Sequence, residues 1–187
     1  NVNKNAFNGK TVYLMADIDL ANAVGKVLGV KVKFQPIDWN SKEIELAAGN
    51  IDCVWNGMTI TDEALKNSSV SVPYVKNAQV VVMKKDALAN YKDAASIAGL
   101  NFTAEAGSAG AAAITDSGLS APVEVPAQTD ALLEVMSGSV DACVIDITMA
   151  KSMTADGTSY DKLAYSIELT SEEYGIGFRK GDELTEK

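Results

Sequence analysis

The sequence predicts an α/β fold, and three observations predict it. Short apolar runs of strand type alternate with amphipathic segments of helix type along almost all of the 187 residues. Alternation of this kind favours a parallel sheet flanked by helices. At 30–37, "VKVKFQPI" sets Val30, Val32 and Phe34 against Lys31, Lys33 and Gln35, which is the period-two pattern of a strand. Finally, "SKEIELAAGNIDCVWNGMT" and "TDALLEVMSGSVDACVIDIT" share one plan of capped helix, glycine, Ile-Asp or Val-Asp, cysteine-bearing strand and polar exit. The copies lie near half the chain apart, which suggests two similar α/β lobes rather than a solenoid with periods of roughly 20–50 residues.

The elements follow in order. "DIDLANAVGKVLG" places Leu20, Ala21, Val24, Val27 and Leu28 on one helical face, with Asp17 at its start and Gly29 as its stop. The strand at 30–37 comes next. Ser41 is placed to cap a helix that ends at Gly49, and "IDCVWNG" then reads as a buried strand. Thr61 caps a further helix with Glu63 in its first turn. "AQVVVMKKD" (78–86) is a strongly apolar strand. The second half continues with a helix near 93–98, strand 101–105, helix 109–117, strand 122–126, helix 129–137, strand 140–145 and helix 147–154. From Ala164 onward, "AYSIEL" and "YGIGFR" form one or two strands.

Composition removes whole classes of function. Twenty-five Asp and Glu against sixteen Lys and Arg give a net charge of −9, which argues against nucleic acid as a partner. With no histidine, Ser-His-Asp and Cys-His mechanisms are excluded, along with most transition-metal sites. Neither a cofactor nor a metal is expected. Arg179 is the single arginine. Catalysis is therefore the weaker expectation. No apolar run approaches the roughly 18 residues of a membrane span. Cys53 and Cys143 sit in apolar segments and read as buried thiols of core strands. The "GSAGAA" run at 107–112 lacks the Gly-Lys-Ser/Thr ending of a phosphate loop.

In α/β sheets, ligands bind outside the carboxyl ends of the strands. Three strand exits qualify here: "WNGMT" (55–59), "EAGSAG" (105–110) and "VIDIT" (144–148). Their small residues, hydroxyls, amide and carboxylates suit a small polar ligand.

The stretches "DIDLANAVGKVLGVKVKFQPIDWNS" (17–41), "GNIDCVWNGMTITDE" (49–63), "VPYVKNAQVVVMKKD" (72–86), "AEAGSAG" (104–110), "GSVDACVID" (138–146) and "LTSEEYGIGFRKGD" (169–182) resemble the amino-acid-binding members of the extracytoplasmic solute-binding proteins of ABC importers. The resemblance runs in order over nearly the whole chain. It implies a periplasmic-binding-protein-like fold, two α/β lobes joined by two crossing strands, near Asn77–Val82 and Ile167–Gly175. Lobe 1 would be residues 1–79 with 168–187, and lobe 2 residues 80–167. It also implies an amino acid or related zwitterion bound in the interlobe cleft, delivery to a membrane permease, and a location outside the cytoplasm with a possible lipid anchor through a removed N-terminus.

Carried over by position, the lobe 1 contacts fall on Asn56, Gly57 and Thr59, with Trp55 available to pack on the solute. The lobe 2 contacts fall on Ser108 with Gly107 and Ala109, and Asp146 matches the carboxylate that receives the ligand's α-ammonium. Helix capping is the alternative role for Asp146, and core packing for Trp55. One departure stands out. Where relatives place an arginine after the "TIT-x-E" turn to clamp the ligand carboxylate, this chain has Ala64. Either backbone amides and hydroxyls hold that carboxylate, or the ligand has none. Both ends also read as short for the family, so self-association is a further expectation. Two other functions stay open, a dehydratase-like enzyme on the same fold and a shortened fragment with no ligand.

Overall fold

The computed structural model of the protein describes residues 15–186. Residues 1–14, where no opening strand is recognisable in the sequence, lie outside them, as does Lys187. The chain divides into two compact α/β units. One comprises the described residues up to Ile37, Ser41–Val75 and those from Glu173 onward; the other comprises Asp38–Asn40 and Lys76–Glu172. Apart from the short excursion at Asp38–Asn40, the chain passes between the units at Val75/Lys76 and Glu172/Glu173, and each of these passages falls within a single strand.

The first unit begins with helix α1 (Met15–Leu28). The chain then turns back on it: Val30 N–H donates to the Gly25 carbonyl at 2.9 Å. No strand forms over 30–37, contrary to the alternating pattern. Its alternation is present, but no strand among the described residues pairs with it, and Val30 and Phe34 remain 58% and 40% exposed. Helix α2 (Lys42–Ala47) follows, with no side-chain cap from Ser41. Strand β1 (Cys53–Thr59), helix α3 (Asp62–Asn67) and the short strand β2 (Ser69–Val70) complete this stretch. Thr61 caps α3 as expected, its hydroxyl accepting from Ala64 N–H at 3.0 Å. Both β1 and β2 pair antiparallel with the end of strand β7 (Leu163–Phe178), one continuous strand where the sequence allowed two.

In the second unit strand β3 (Val75–Lys84) runs antiparallel to strand β6 (Ala142–Asp146). Strand β4 (Phe102–Glu105) lies parallel between β6 and strand β5 (Val123–Val125). Helices α4 (Lys85–Leu88), α5 (Ala109–Asp116), α6 (Gln128–Ser137) and α7 (Ile147–Met153) complete it. The helix expected near 93–98 is only a 3₁₀ turn, Ala95–Ile97. Alternate side chains of β3 and β6 enter two separate cores. Val80, Val82, Cys143 and Ile145 pack with Leu132 and Val135, while Val81, Met83, Ala142 and Val144 pack with Phe102 and Ile114. Burial on both faces explains why these strands read as unbroken apolar runs. Both cysteines are free, and Cys143 is fully buried, which pushes its thiol pKa well up. Cys53 is only half-buried; burial, with Asp52 beside it, pushes its pKa to about 11.

Candidate functional site

In the first unit the expected residues sit on an irregularity of β1. Val54 pairs with Gly177 and Met58 with Gly175, so four steps of β1 are set against two of β7. Trp55, Asn56 and Gly57 stand against Ile176 alone, an excess of two residues. Gly57 takes a positive φ of 70°, a conformation glycine adopts at no steric cost. Bulges of this sort re-aim side chains and recur beside functional sites. Asn56 is exposed, and Thr59 pairs with Tyr174 at the strand exit. The Trp55 ring meets Tyr74 edge-on, with centroids 6.3 Å apart, so it does pack within its own unit. Its buried indole N–H nevertheless has no partner.

Asp17 lies under the bulge, 5% exposed. Burial raises its pKa, opposed by the nearby Tyr74 hydroxyl and the Gly57 N–H. These donors are near enough to act electrostatically, but neither Asp17 Oδ2 nor the Tyr74 hydroxyl completes a hydrogen bond of normal geometry.

The second unit holds the other half of the expected set, at the carboxyl ends of β4 and β6. Ser108 is the N-cap of α5 and accepts from Ala111 N–H at 3.2 Å. By helix geometry, the first-turn N–H groups of Ala109 and Gly110 have no intrahelical acceptor. Gly107 turns with φ 65°, against Asn40. Gly110 lets the helix approach the sheet: a Cβ there would lie 2.8 Å from the Val144 carbonyl oxygen and 3.0 Å from Gln79 Oε1.

Asp146 occupies the N-cap position of α7 yet makes no capping bond. Its carboxyl group goes elsewhere. Oδ1 accepts from Asn77 Nδ2 at 2.9 Å and from Gln79 Nε2 at 2.7 Å. Oδ2 accepts from Gln128 Nε2 at 2.6 Å, while the Asp146 N–H donates to Gln128 Oε1 at 3.1 Å. The register explains this, because Gln79 pairs directly with Asp146 across β3 and β6, on one face of the sheet. The same two amides also serve Glu172, whose Oε1 accepts from Asn77 Nδ2 at 2.6 Å and Gln79 Nε2 at 2.7 Å.

Within the first unit the structure thus brings Trp55, Asn56, Gly57 and Thr59 together. Within the second it brings Ser108, with Gly107 and Ala109, close to the Gln79 group that holds Asp146. Asn77, Gln79, Gln128 and Glu172 are absent from the sequence expectation. The pair Asn77 and Gln79 left a signal: two amides two residues apart, heading an otherwise apolar strand, must share one face. The position of the family's arginine is apolar and buried, with Ala64 8% exposed. A cavity of about 240 Å³ elsewhere in the first unit is lined by Glu43, Asn67, Arg179 and Lys180, and by none of the expected residues. Arg179 bonds the Ile51 carbonyl and Asp182, and Lys180 bonds the Leu65 and Ser68 carbonyls.

Strand-end carboxyl groups, a capped helix and a bulged aromatic strand, on two α/β units joined by two strands, accord with the family suggested by sequence. Residues 16–187 match the family described as bacterial extracellular solute-binding proteins, family 3. The chain belongs to this family. As a family member it is similar to a probable histidine-binding protein of Neisseria gonorrhoeae, 28% identical over 179 residues, 91% of this chain and 65% of that one. It therefore spans just under two thirds of the length of that curated relative. Among solved structures it resembles holo ArgBP from T. maritima, with a TM-score of 0.85 and 32% identity over 99% of this chain and 79% of that one. It also resembles the ancestral amino acid-binding protein AncCDT-1, a precursor of cyclohexadienyl dehydratase, with a TM-score of 0.82 and 32% identity over 91% and 74% of the two chains. Such likeness establishes the bilobed α/β fold. No helix among the described residues is long and apolar enough to cross a membrane.

Proposed function

We propose that this protein binds an amino acid or related zwitterion outside the cytoplasm and delivers it to the membrane permease of an ABC importer. Asp146 receives the ligand's α-ammonium. Asn56, Gly57 and Thr59 supply polar contacts from the first unit, with the Trp55 ring against the solute, and Ser108, Gly107 and Ala109 supply them from the second.

The observation that carries this reading is the Asp146 carboxyl group, which forgoes the cap it is placed to make and is held by three neutral amide donors. A structural carboxylate at a helix start ordinarily serves the helix. This one is oriented by its neighbours and satisfied by no cation among them. The names of the relatives support the same reading: those cited are amino-acid-binding proteins.

Calorimetry and thermal melts against the common amino acids test it. A ligand at a hundred times its Kd stabilises by about 2.7 kcal/mol, which raises the melting temperature of a chain this size by roughly 5–10 °C. Asp146→Ala should weaken that binding about 10- to 150-fold, the worth of one charge-assisted hydrogen bond. Unchanged affinity refutes the assigned role. A dehydratase-like activity would instead consume the ligand, so the amino acid recovered after binding should be chemically unaltered.

A further inference from the structure

The four hydrogen bonds around Asn77 and Gln79 form a closed ring. Each side-chain NH₂ group donates one bond to Asp146 Oδ1 and one to Glu172 Oε1, over 2.6–2.9 Å. Asn77 and Gln79 are 4% and 2% exposed, and all four of their amide hydrogens are spent on these two oxygens. The two carboxyl oxygens therefore sit no further apart than one amide group can span. Like-charged groups that close repel unless something compensates. For Asp146 the compensation is entirely neutral, three amide donors and no cation.

Two more groups beside this pair point to a ligand. Asn77 Oδ1, on the same amide as the shared Nδ2, is a buried acceptor with no partner. Thr148 Oγ1, two residues beyond Asp146, is a second buried polar atom without one. An ammonium group brings three donors and no acceptor. Asn77 Oδ1 lacks a donor and Asp146 a positive charge, and an ammonium supplies both.

The opposite end of an amino acid finds much less. Ala64, where the resemblance expects the carboxylate-binding arginine, is apolar and buried. Arg179, the one guanidinium of the chain, is bonded to Ile51, Asp182 and Asp52. Lys180 is spent on the carbonyls that end α3. For a carboxylate the second unit offers the N–H groups at the α5 start and hydroxyls, and the first unit the unpartnered Trp55 indole N–H and the Asn56 amide, all of them neutral donors.

We infer that the ligand's amino group is the dominant anchor, held by Glu172 as well as Asp146, and that its carboxylate is dispensable, so the site takes small cationic amines whether or not they carry a carboxylate. This rests on the amino-acid-binding reading above. Asn77 and Gln79 are positioning residues that hold the two acceptors together.

Calorimetry on the intact protein tests it with two series: L-arginine, L-argininamide, agmatine and Nα-acetyl-L-arginine, and L-histidine, L-histidinamide, histamine and Nα-acetyl-L-histidine. In at least one series the amide and the decarboxylated amine should bind within about threefold of the amino acid, while the acetylated form, with its α-ammonium gone, should lose about 30-fold or more. Amino-acid binding that falls 30-fold in the amide overturns the inference and leaves the binding function standing. Amines that bind while no amino acid does uphold the inference and overturn that function. Silence in both series overturns the inference. Glu172→Gln keeps the hydrogen-bonding shape and should weaken amine binding about 10-fold with little change in apo melting temperature. Undiminished affinity removes Glu172 from the anchor.

Discussion

Asp17 shows what an unsatisfied acid does at the scale of one residue. It is 5% exposed with Oδ2 unpartnered, and burial raises its pKa above 3.8. The folded protein then holds this proton at pH values where the unfolded chain has released it. Stability falls as pH rises from about the unfolded value through the folded one, and the cost of the buried charge is fully present above that. Asp17→Asn should be more stable than the parent at pH 7, with the gap closing as the pH falls towards 4. Thermal melts of both proteins between pH 4 and 7 check this, and parallel curves would show that Asp17 is stably ionised and paired. At this scale the sequence located Asp146 at a strand exit, where it is half-buried, but not the amides that hold it. Asn77 and Gln79 showed a shared face in their two-residue spacing, but nothing local marks that face as buried. Gln79 is buried where α5 packs on the sheet, with Gly110 leaving no room for a Cβ beside it.

At the scale of the element, the Thr61 cap was readable, while the Ser41 cap did not form and strand pairing was not legible. Thr61 and Ser108 cap α3 and α5 through the same contact, from the side-chain oxygen to the N–H three residues on. Replacing either by alanine should cost about 1 kcal/mol, roughly 2–4 °C in a chain of this size. Only Ser108→Ala should also weaken ligand binding, because Thr61 belongs to no proposed contact. Paired melting and calorimetry on the two variants decide it. Equal effects on affinity would mean that Ser108 acts through the helix alone. The run at 30–37 shows the limit of pattern reading. Its alternation is as regular as that of any strand here, but a strand is a pairing, and no described segment offers that stretch a partner. β7 shows the converse, because "AYSIEL" and "YGIGFR", which the sequence left as one strand or two, run together as one strand of 16 residues.

Across the whole molecule the two units are unequally built. Both described hydrophobic cores, with Val80, Val81, Val82, Phe102 and Ile145 almost wholly buried, belong to the second unit. Of the twelve large apolar side chains that are exposed among the described residues, ten belong to the first, including Val27 at 86%, Val72 at 81% and Ile44 at 70%. Apolar surface left in water contributes nothing to the hydrophobic term, which is roughly 25 cal/mol per Å² buried. Helices as short as α2 and α3, six residues each, also depend on packing rather than propensity. The first unit should therefore open well before the second. Amide hydrogen exchange should be slowest in β3, β4 and β6 and on the order of 100-fold faster in α1, α2 and α3. Uniform protection across both units would mean that the chain unfolds as a single cooperative body. Ligand binding sharpens the test, because any solute that contacts β1 stabilises the first unit against opening by its binding free energy. A saturating amino acid or amine should slow exchange most in the unit that is weakest without it.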